Sequence, residues 1–299
     1  MKLLNNRYLI KHLQDVRQTR QYADFMIKIG WQVIKINNQC QLFYRRLPII
    51  PIYIGKVLRC HWPIKINKLK KIIQKYKIVF VKIQFFETVN INFNLKSIKL
   101  DSHPLIPTKT IYINLTKPLF RLKKGLKQKT RYNLNLSKKK KLITKIISGN
   151  KISKKRLDDF FYLWSKNKPF NLIFKPSYKE LTYLIKSFTN KCFFVLAFHA
   201  AEQQMIAGAL ILNSKNMAFY WHNCSNNKGK KLFAPTLCVW EAIKESKNRG
   251  LKIFDFEGIW DKRYPRLNQG WQGFTKFKNG FGQAQIKFTK PFILKNKLF

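Results

Sequence analysis

From Arg17 to Ile29 the apolar residues Tyr22, Phe25, Met26 and Ile29 recur at helical spacing, and Gly30 follows as a stop signal. The pattern then changes period. WQVIKI, QLFYRRL and PIYIGKVLRC read as strands, with NNQ turning the chain between the first two. KINKLKKIIQKY returns to helical spacing and IVFVKIQFF to a β-branched strand, which predicts an α+β unit with helices packed on a largely antiparallel sheet. A Pro-containing segment, HPLIPTKT, leads into a strand, TIYINL, and a basic helical stretch from Lys117 to Lys141 follows.

The second half repeats the scheme. Two helices (Lys154 to Lys166, Tyr178 to Ser187) precede the strands FFVLAFHA, QMIAGALILN and MAFYWHN, a long helix from Pro235 to Arg249 and the strand KIFDFEG. A helix beginning near Asn268 and a strand AQIKF close the series. These elements predict a domain boundary near residue 145, with a first domain at 1–145, a second at 146–290 and a tail at 291–299. Two halves of similar order suggest duplication, although the sequence repeat itself is faint.

Composition makes this a folded chain: 45% of its 299 residues are hydrophobic and 15% aromatic, ample to bury. Charge adds a partner. Sixty Lys and Arg against 13 Asp and Glu give a formal net charge of +47, which attracts polyanions. A second account of the excess stays open, because Lys, Ile and Asn together are what AT-rich codons produce. The odd set Cys40, Cys60, Cys192, Cys224 and Cys238 has no CxxC pair and fits reduced thiols in a cytoplasmic protein. Charges interrupt the N-terminus before a signal-peptide core forms, and LPIIPIYIG and FFVLAFHAA are too short to span a bilayer, although the basic surface could touch anionic headgroups.

Few residues announce chemistry by themselves. The five histidines are scattered without ligand spacing, so no metal is expected, and there is no GxSxG. NNKGKKLFAPTL lies where an acetyl-CoA-dependent enzyme would hold a pyrophosphate, but it carries only Gly229. DFEGIWDKRYPRLNQGWQGFTKFKNGFG sets the strand-end acids Asp255 and Glu257 near Lys278, one lysine among many. GLKQKTRYNLNLSKKKK is a basic helical face with the aromatic Tyr132 among its charges; Lys127, Lys129, Arg131, Lys138 and Lys139 are its candidate nucleic-acid contacts.

Taken in order, these segments resemble the FemAB/FemX family of peptidyltransferases over roughly residues 15 to 285. YADFMIKIGWQVIKI is similar to the family's opening helix and strand, and PTKTIYINL followed by LKQKTRYNLNLSKKK to its P-T-T-x-x-x-D-L and K-T-R-Y-N-I blocks. QMIAGALIL, CSNNKGKKLFAPTLCVWEAI, GLKIFDFEGI and FTKFKNGFG resemble the blocks of its second domain.

The resemblance implies two GNAT-like domains of mixed sheets flanked by helices, an acceptor held at their junction and no cofactor. It gives Lys278 a catalytic role as the lysine of the family's Phe-Lys pair, with Phe277, Asp255 and Glu257 framing the site. FKPSYKEL resembles the Arg-Pro-x-x-Tyr region that holds the precursor's diphosphate. Tyr178 matches the tyrosine, and Lys175 stands one place nearer to it than the arginine would. A further acceptor tyrosine falls at His222, beside Tyr220. The lysine of the family's opening helix has no counterpart near Asp24 and Met26, FGQ replaces FGG at 281–283, and the helical arm of some members is missing.

The implied activity is transfer of an amino acid from aminoacyl-tRNA to the stem peptide of a lipid-linked or nucleotide-linked peptidoglycan precursor. A GNAT-type N-acyltransferase using acyl-CoA or acyl carrier protein is the first alternative, and a non-enzymatic RNA-binding protein the second.

Overall fold

The computed structural model describes residues 12–86, 98–166, 176–200, 204–265, 270–282 and 284–296. The chain forms two compact units. The first is Met1–Thr110 with Gly258–Gln272 and Gln285–Phe299; the second is Ile111–Glu257 with Gly273–Ala284. The chain therefore crosses at 110/111 and not near residue 145, because the last third of the sequence returns twice to the first unit.

In the first unit, helix α1 (Arg20–Lys28) starts on the Thr19 hydroxyl, which accepts the Tyr22 N–H at 3.2 Å, and buries Tyr22, Phe25 and Met26. Strands β1 (Gln32–Asn37), β2 (Cys40–Arg46) and β3 (Tyr53–Cys60) form an antiparallel meander. Helix α2 (Ile66–Lys75), anchored by buried Leu69 and Ile73, crosses over to β4 (Ile78–Phe85), which runs parallel to β3. Beyond β4 the sheet continues with β13 (Phe292–Lys295) and then β5 (Ile98–Leu100), both pairings antiparallel. Residues 291–296 are therefore no tail: β13 is an interior strand whose Phe292 and Leu294 join the core around Leu42, Val57, Val81, Ile83 and Phe85.

The returning segments are tied down by polar bonds as well. The Asp261 carboxylate accepts from the Thr108 hydroxyl at 2.6 Å and from Arg263 Nη2 at 2.7 Å, while Arg263 also donates to the carbonyls of Thr108 and Phe288. Burial pushes the Asp261 carboxyl up, but the hydrogen bonds from Arg263 and Thr108 outweigh it and hold the group below the usual carboxylate range.

The second unit holds most of a second sheet, made of β6 (Lys109–Asn114), β7 (Leu142–Ser148), β8 (Cys192–His199), β9 (Met205–Asn213), β10 (Met217–Ser225), β11 (Ile253–Asp255) and β12 (Ala284–Lys287), in the order β12-β6-β11-β10-β9-β8-β7. Its helices are α3 (Leu119–Lys124), α4 (Gln128–Lys139), α5 (Lys154–Lys166), α6 (Tyr178–Phe188), α7 (Asn227–Lys231), α8 (Ala234–Asn248) and α9 (Trp271–Lys278). Every residue of β9, and all of β8 but His199, is buried, which explains their unbroken apolar runs. Among the buried side chains are Phe160, Phe193, Phe194, Phe198, Phe219 and Phe254, each contributing about 1.5–3 kcal/mol by burial. The basic stretch from Lys117 to Lys141 is two helices and not one: Gly125 caps α3, and α4 restarts after Lys127. Strand β7 was masked in the sequence by the lysines around it.

The two sheets share an arrangement. In each, a helical crossover produces one parallel pair, β3/β4 or β10/β11, and an antiparallel strand from a distant part of the chain lies beyond it, β13 beside β4 and β6 beside β11.

Candidate active site

The end of β11 sets the geometry. Asp255 is buried, and its Oδ1 accepts the N–H of Glu257 at 2.8 Å, bending the chain after the strand. Glu257 has a φ of 55° and Gly258 one of 114°; a Cβ at Gly258 would lie 2.5 Å from Pro107, so only glycine fits there. The carbonyl of Phe256, between the two acids, accepts the ammonium of Lys278 at 2.8 Å. Lys278 is the last residue of α9 and only 8% exposed, so its charge is held in a largely desolvated place.

Aromatic rings connect this group. The Phe277 ring meets Phe281 edge-on at 5.3 Å, Phe281 lies 5.7 Å from Phe256, and Phe256 lies 5.8 Å from Tyr220. Phe256 thus links the candidate residues: its carbonyl holds Lys278, Asp255 and Glu257 flank it in sequence, and its ring touches Tyr220 and, through Phe281, reaches Phe277; no sequence pattern singled it out. Burial raises the Tyr220 phenol well above its ordinary value, so it stays protonated and can donate a hydrogen bond.

Tyr178 and His222 belong to a different group. A bulge between Tyr220 and His222 shifts the register of β10 against β9. Past it, the His222 ring lies against Trp164 of α5, tilted by 34° with centroids 4.3 Å apart. Tyr178, the first residue of α6, donates to Asp158 at 2.6 Å and meets Phe161 edge-on at 5.2 Å; the hydrogen bond to Asp158, then burial, raises its phenol. Phe161 in turn lies 6.0 Å from Trp164. Asp158, Phe161 and Trp164 were missed because they read as one face of an amphipathic helix. Lys175 lies outside the described residues.

The basic helix α4 reaches the Lys278 loop through its backbone. The Lys127 N–H donates to the Gly280 carbonyl at 2.9 Å, and a Cβ on Gly280 would lie 2.2 Å from the Thr130 hydroxyl. The KTRYN and FKNGF blocks therefore touch, which accounts for the glycine. Lys127, Lys129, Lys138 and Lys139 are exposed. Arg131 is not a free surface charge: its guanidinium donates to the carbonyls of Lys124 at 2.9 Å and Leu126, capping α3.

The NNKGKKLFAPTL segment is no phosphate cradle. It forms α7, whose Asn226 cap accepts the Gly229 N–H at 2.7 Å, and a Cβ on Gly229 would lie 2.2 Å from the Ile206 carbonyl, so the glycine serves packing. Helix α8 then begins after Phe233 at φ 59° with Pro235 in its first turn, which removes one N–H from that terminus. A separate cavity of about 210 Å³ in the first unit, walled by Pro104, Pro107, Thr108, Asp261, Tyr264 and Trp271, contains none of the expected site residues. Among the described residues no cluster of three or more His, Cys, Asp or Glu could hold a metal, and no helix is long and apolar enough to cross a membrane.

No curated protein sequence matches the chain. Among solved structures, FemX is similar with a TM-score of 0.74 at 12% identity, covering 94% of this chain and 92% of that one. The C-terminal domain of a candidate lysylphosphatidylglycerol synthetase from Agrobacterium fabrum has a TM-score of 0.64 at 11% identity, covering 99% and 93%. L-PGS from Bacillus licheniformis has a TM-score of 0.59 at 10% identity, covering 91% and 86%. At these identities the likeness is one of fold. The FemAB family model matches residues 175–295, the stretch that contains β11, α9 and Lys278, so this part of the chain is similar to the FemAB family and the fold is similar to that of FemX.

Proposed function

We propose that the protein is an aminoacyltransferase that moves an amino acid from aminoacyl-tRNA to the stem peptide of a peptidoglycan precursor. The observation that carries this reading is Lys278, a buried ammonium fixed to the Phe256 carbonyl at a strand end, inside the segment that matches the FemAB model. Attack of a stem-peptide amine on the aminoacyl ester forms a C–N bond through a tetrahedral oxyanion. The ester C–O bond then breaks, the amine loses a proton, and the tRNA hydroxyl gains one. An ammonium placed at the oxyanion in a desolvated site is typically worth ~3 to 4 kcal/mol. In this reading Tyr220 donates from the same group, Tyr178 and His222 meet the acceptor, and the exposed Lys127, Lys129, Lys138 and Lys139 meet tRNA phosphates.

Acyl-CoA-dependent transfer has less support, because the segment that would hold the pyrophosphate is a lysine-rich helix with its glycine pressed on a backbone carbonyl. The deciding experiment incubates the protein with total charged tRNA and with nucleotide-linked or lipid-linked muropeptides, and weighs the products by mass spectrometry. A muropeptide heavier by one amino-acid residue supports the proposal. No such product, with acetylation from acetyl-CoA instead, would favour the CoA reading, and tRNA binding without any transfer would favour a binding protein.

A further inference from the structure

One end of the first unit's sheet is both apolar and basic. The turn between β2 and β3 exposes Pro48, Ile49, Ile50 and Pro51, with Ile49 95% and Ile50 52% exposed. This is a built feature: the Leu47 N–H donates to Ile52 O at 2.9 Å, and the Ile52 N–H to Ile50 O at 2.7 Å. The two prolines have no N–H, so the tip presents few backbone donors to desolvate. An apolar, donor-poor tip standing in water is a poor use of two isoleucines.

Strand register places more residues at the same end. Arg46 pairs with Tyr53, and Tyr53 with Ile78 of the parallel β4, so the preceding turn, Lys75, Tyr76 and Lys77, lies beside the tip. Gln32 pairs with Tyr44, which brings the end of α1, with Ile27 57% exposed and Lys28 exposed, to this edge. Lys295 pairs with Phe80 and completes the set. Arg46, Lys75, Tyr76, Lys77 and Lys295 are all exposed, and residues 27–31, 45–53, 75–78 and 295–296 contain no Asp or Glu.

We propose that this sheet end is a membrane-docking surface: the Pro48–Pro51 tip enters the boundary between headgroups and acyl chains of an anionic bilayer, and the surrounding cations lie on the lipid phosphates. The occupant follows from charge and shape together. A purely basic patch would suit any polyanion, but nucleic acid takes apolar wedges only at the cost of unstacking its bases whereas an acyl layer takes isoleucines freely, and an apolar protein groove does not need a collar of one sign. Tyr76, an apolar body with a polar end, is exposed beside the tip and suits the headgroup layer, while Tyr53 packs half-buried against the core. The inference is independent of the transfer reaction proposed above and holds for any activity of the chain.

The test uses the full chain with vesicles of phosphatidylcholine containing roughly one-third phosphatidylglycerol. All five native cysteines are buried, so an Ile49→Cys variant takes an environment-sensitive dye at one place, with Ile143→Cys on the edge strand β7 as control. Emission at position 49 should shift to the blue on adding anionic vesicles, and emission at 143 should not. Ile49→Glu with Ile50→Glu should lower vesicle partition at least about tenfold. Arg46→Gln with Lys75→Gln and Lys77→Gln should weaken binding and flatten its salt dependence. Binding without a blue shift at position 49 overturns the proposal, since contact is then through another face. So does concentration-dependent self-association that the Glu pair abolishes, since a second copy then covers the tip.

Discussion

Two buried cations stand at the ends of the two parallel strand pairs, and they are used differently. Arg59, at the end of β3, is 4% exposed, donates to the carbonyls of Phe85 at 3.4 Å and Pro107, and lies 3.3 Å over the Phe288 ring. Lys278 donates to the carbonyl of Phe256, just past β11, at 2.8 Å. A planar guanidinium can span two carbonyls and a ring at once, so Arg59 binds three segments of the first unit together. An ammonium is a compact charge that a single carbonyl can aim. One framework, used twice, thus has a guanidinium that ties segments together in one unit and, in the other, a buried lysine that the proposed function assigns to a reacting oxygen.

The sharpest way to break this comparison is to remove the lock. Arg59→Met should cost about 3 kcal/mol, because it strips a charged donor from two carbonyls and leaves them in a buried place. The urea midpoint measures it, and a loss under about 0.5 kcal/mol would show that the guanidinium does not hold these segments. Arg131 carries a smaller structural load. Arg131→Ala should cost about 1 to 2 kcal/mol through the lost α3 cap. Replacing Lys138, Lys139, Lys140 and Lys141 with Gln should leave the midpoint within about 0.5 kcal/mol and flatten the dependence of tRNA affinity on salt. Equal salt slopes for wild type and variant would remove that run from the tRNA surface.

Lys56 sharpens the comparison most gently. It lies 3.8 Å over the Trp31 ring, and burial, then Arg45 and Arg17, lower its amine to about 7. Between about 7 and the ordinary value of 10.5 the unfolded chain binds the extra proton, so this group makes stability rise with pH across that window. Lys56→Met should flatten the rise and stabilise the protein below it. Parallel slopes for the two proteins between those limits would show that Lys56 is not held among cations.

Much of the fold was legible because its elements announce themselves. The helical spacing of Tyr22, Phe25 and Met26 and the stop at Gly30 mark α1, and the unbroken apolar runs of β8 and β9 are what strands covered on both faces require. The division of the chain was not legible. Strand β13 has four residues, too few to show a period, and its place between β4 and β5 depends on partners nearly two hundred residues away or more. The candidate site rests on a resemblance: FTKFKNGFG points to Phe277 and Lys278, yet nothing in that string says that the lysine meets the Phe256 carbonyl. Nor could spacing tell that Tyr220 and His222, two residues apart, join different groups, since the bulge between them is a property of the paired strands.

The most direct measurement is transfer by Lys278→Ala beside wild type, with charged tRNA and a muropeptide acceptor, on protein whose circular dichroism and cooperative urea transition show it folded. The account predicts a fall in turnover of at least ~100-fold, with partial recovery in Lys278→Arg. Wild-type turnover in folded Lys278→Ala would contradict it.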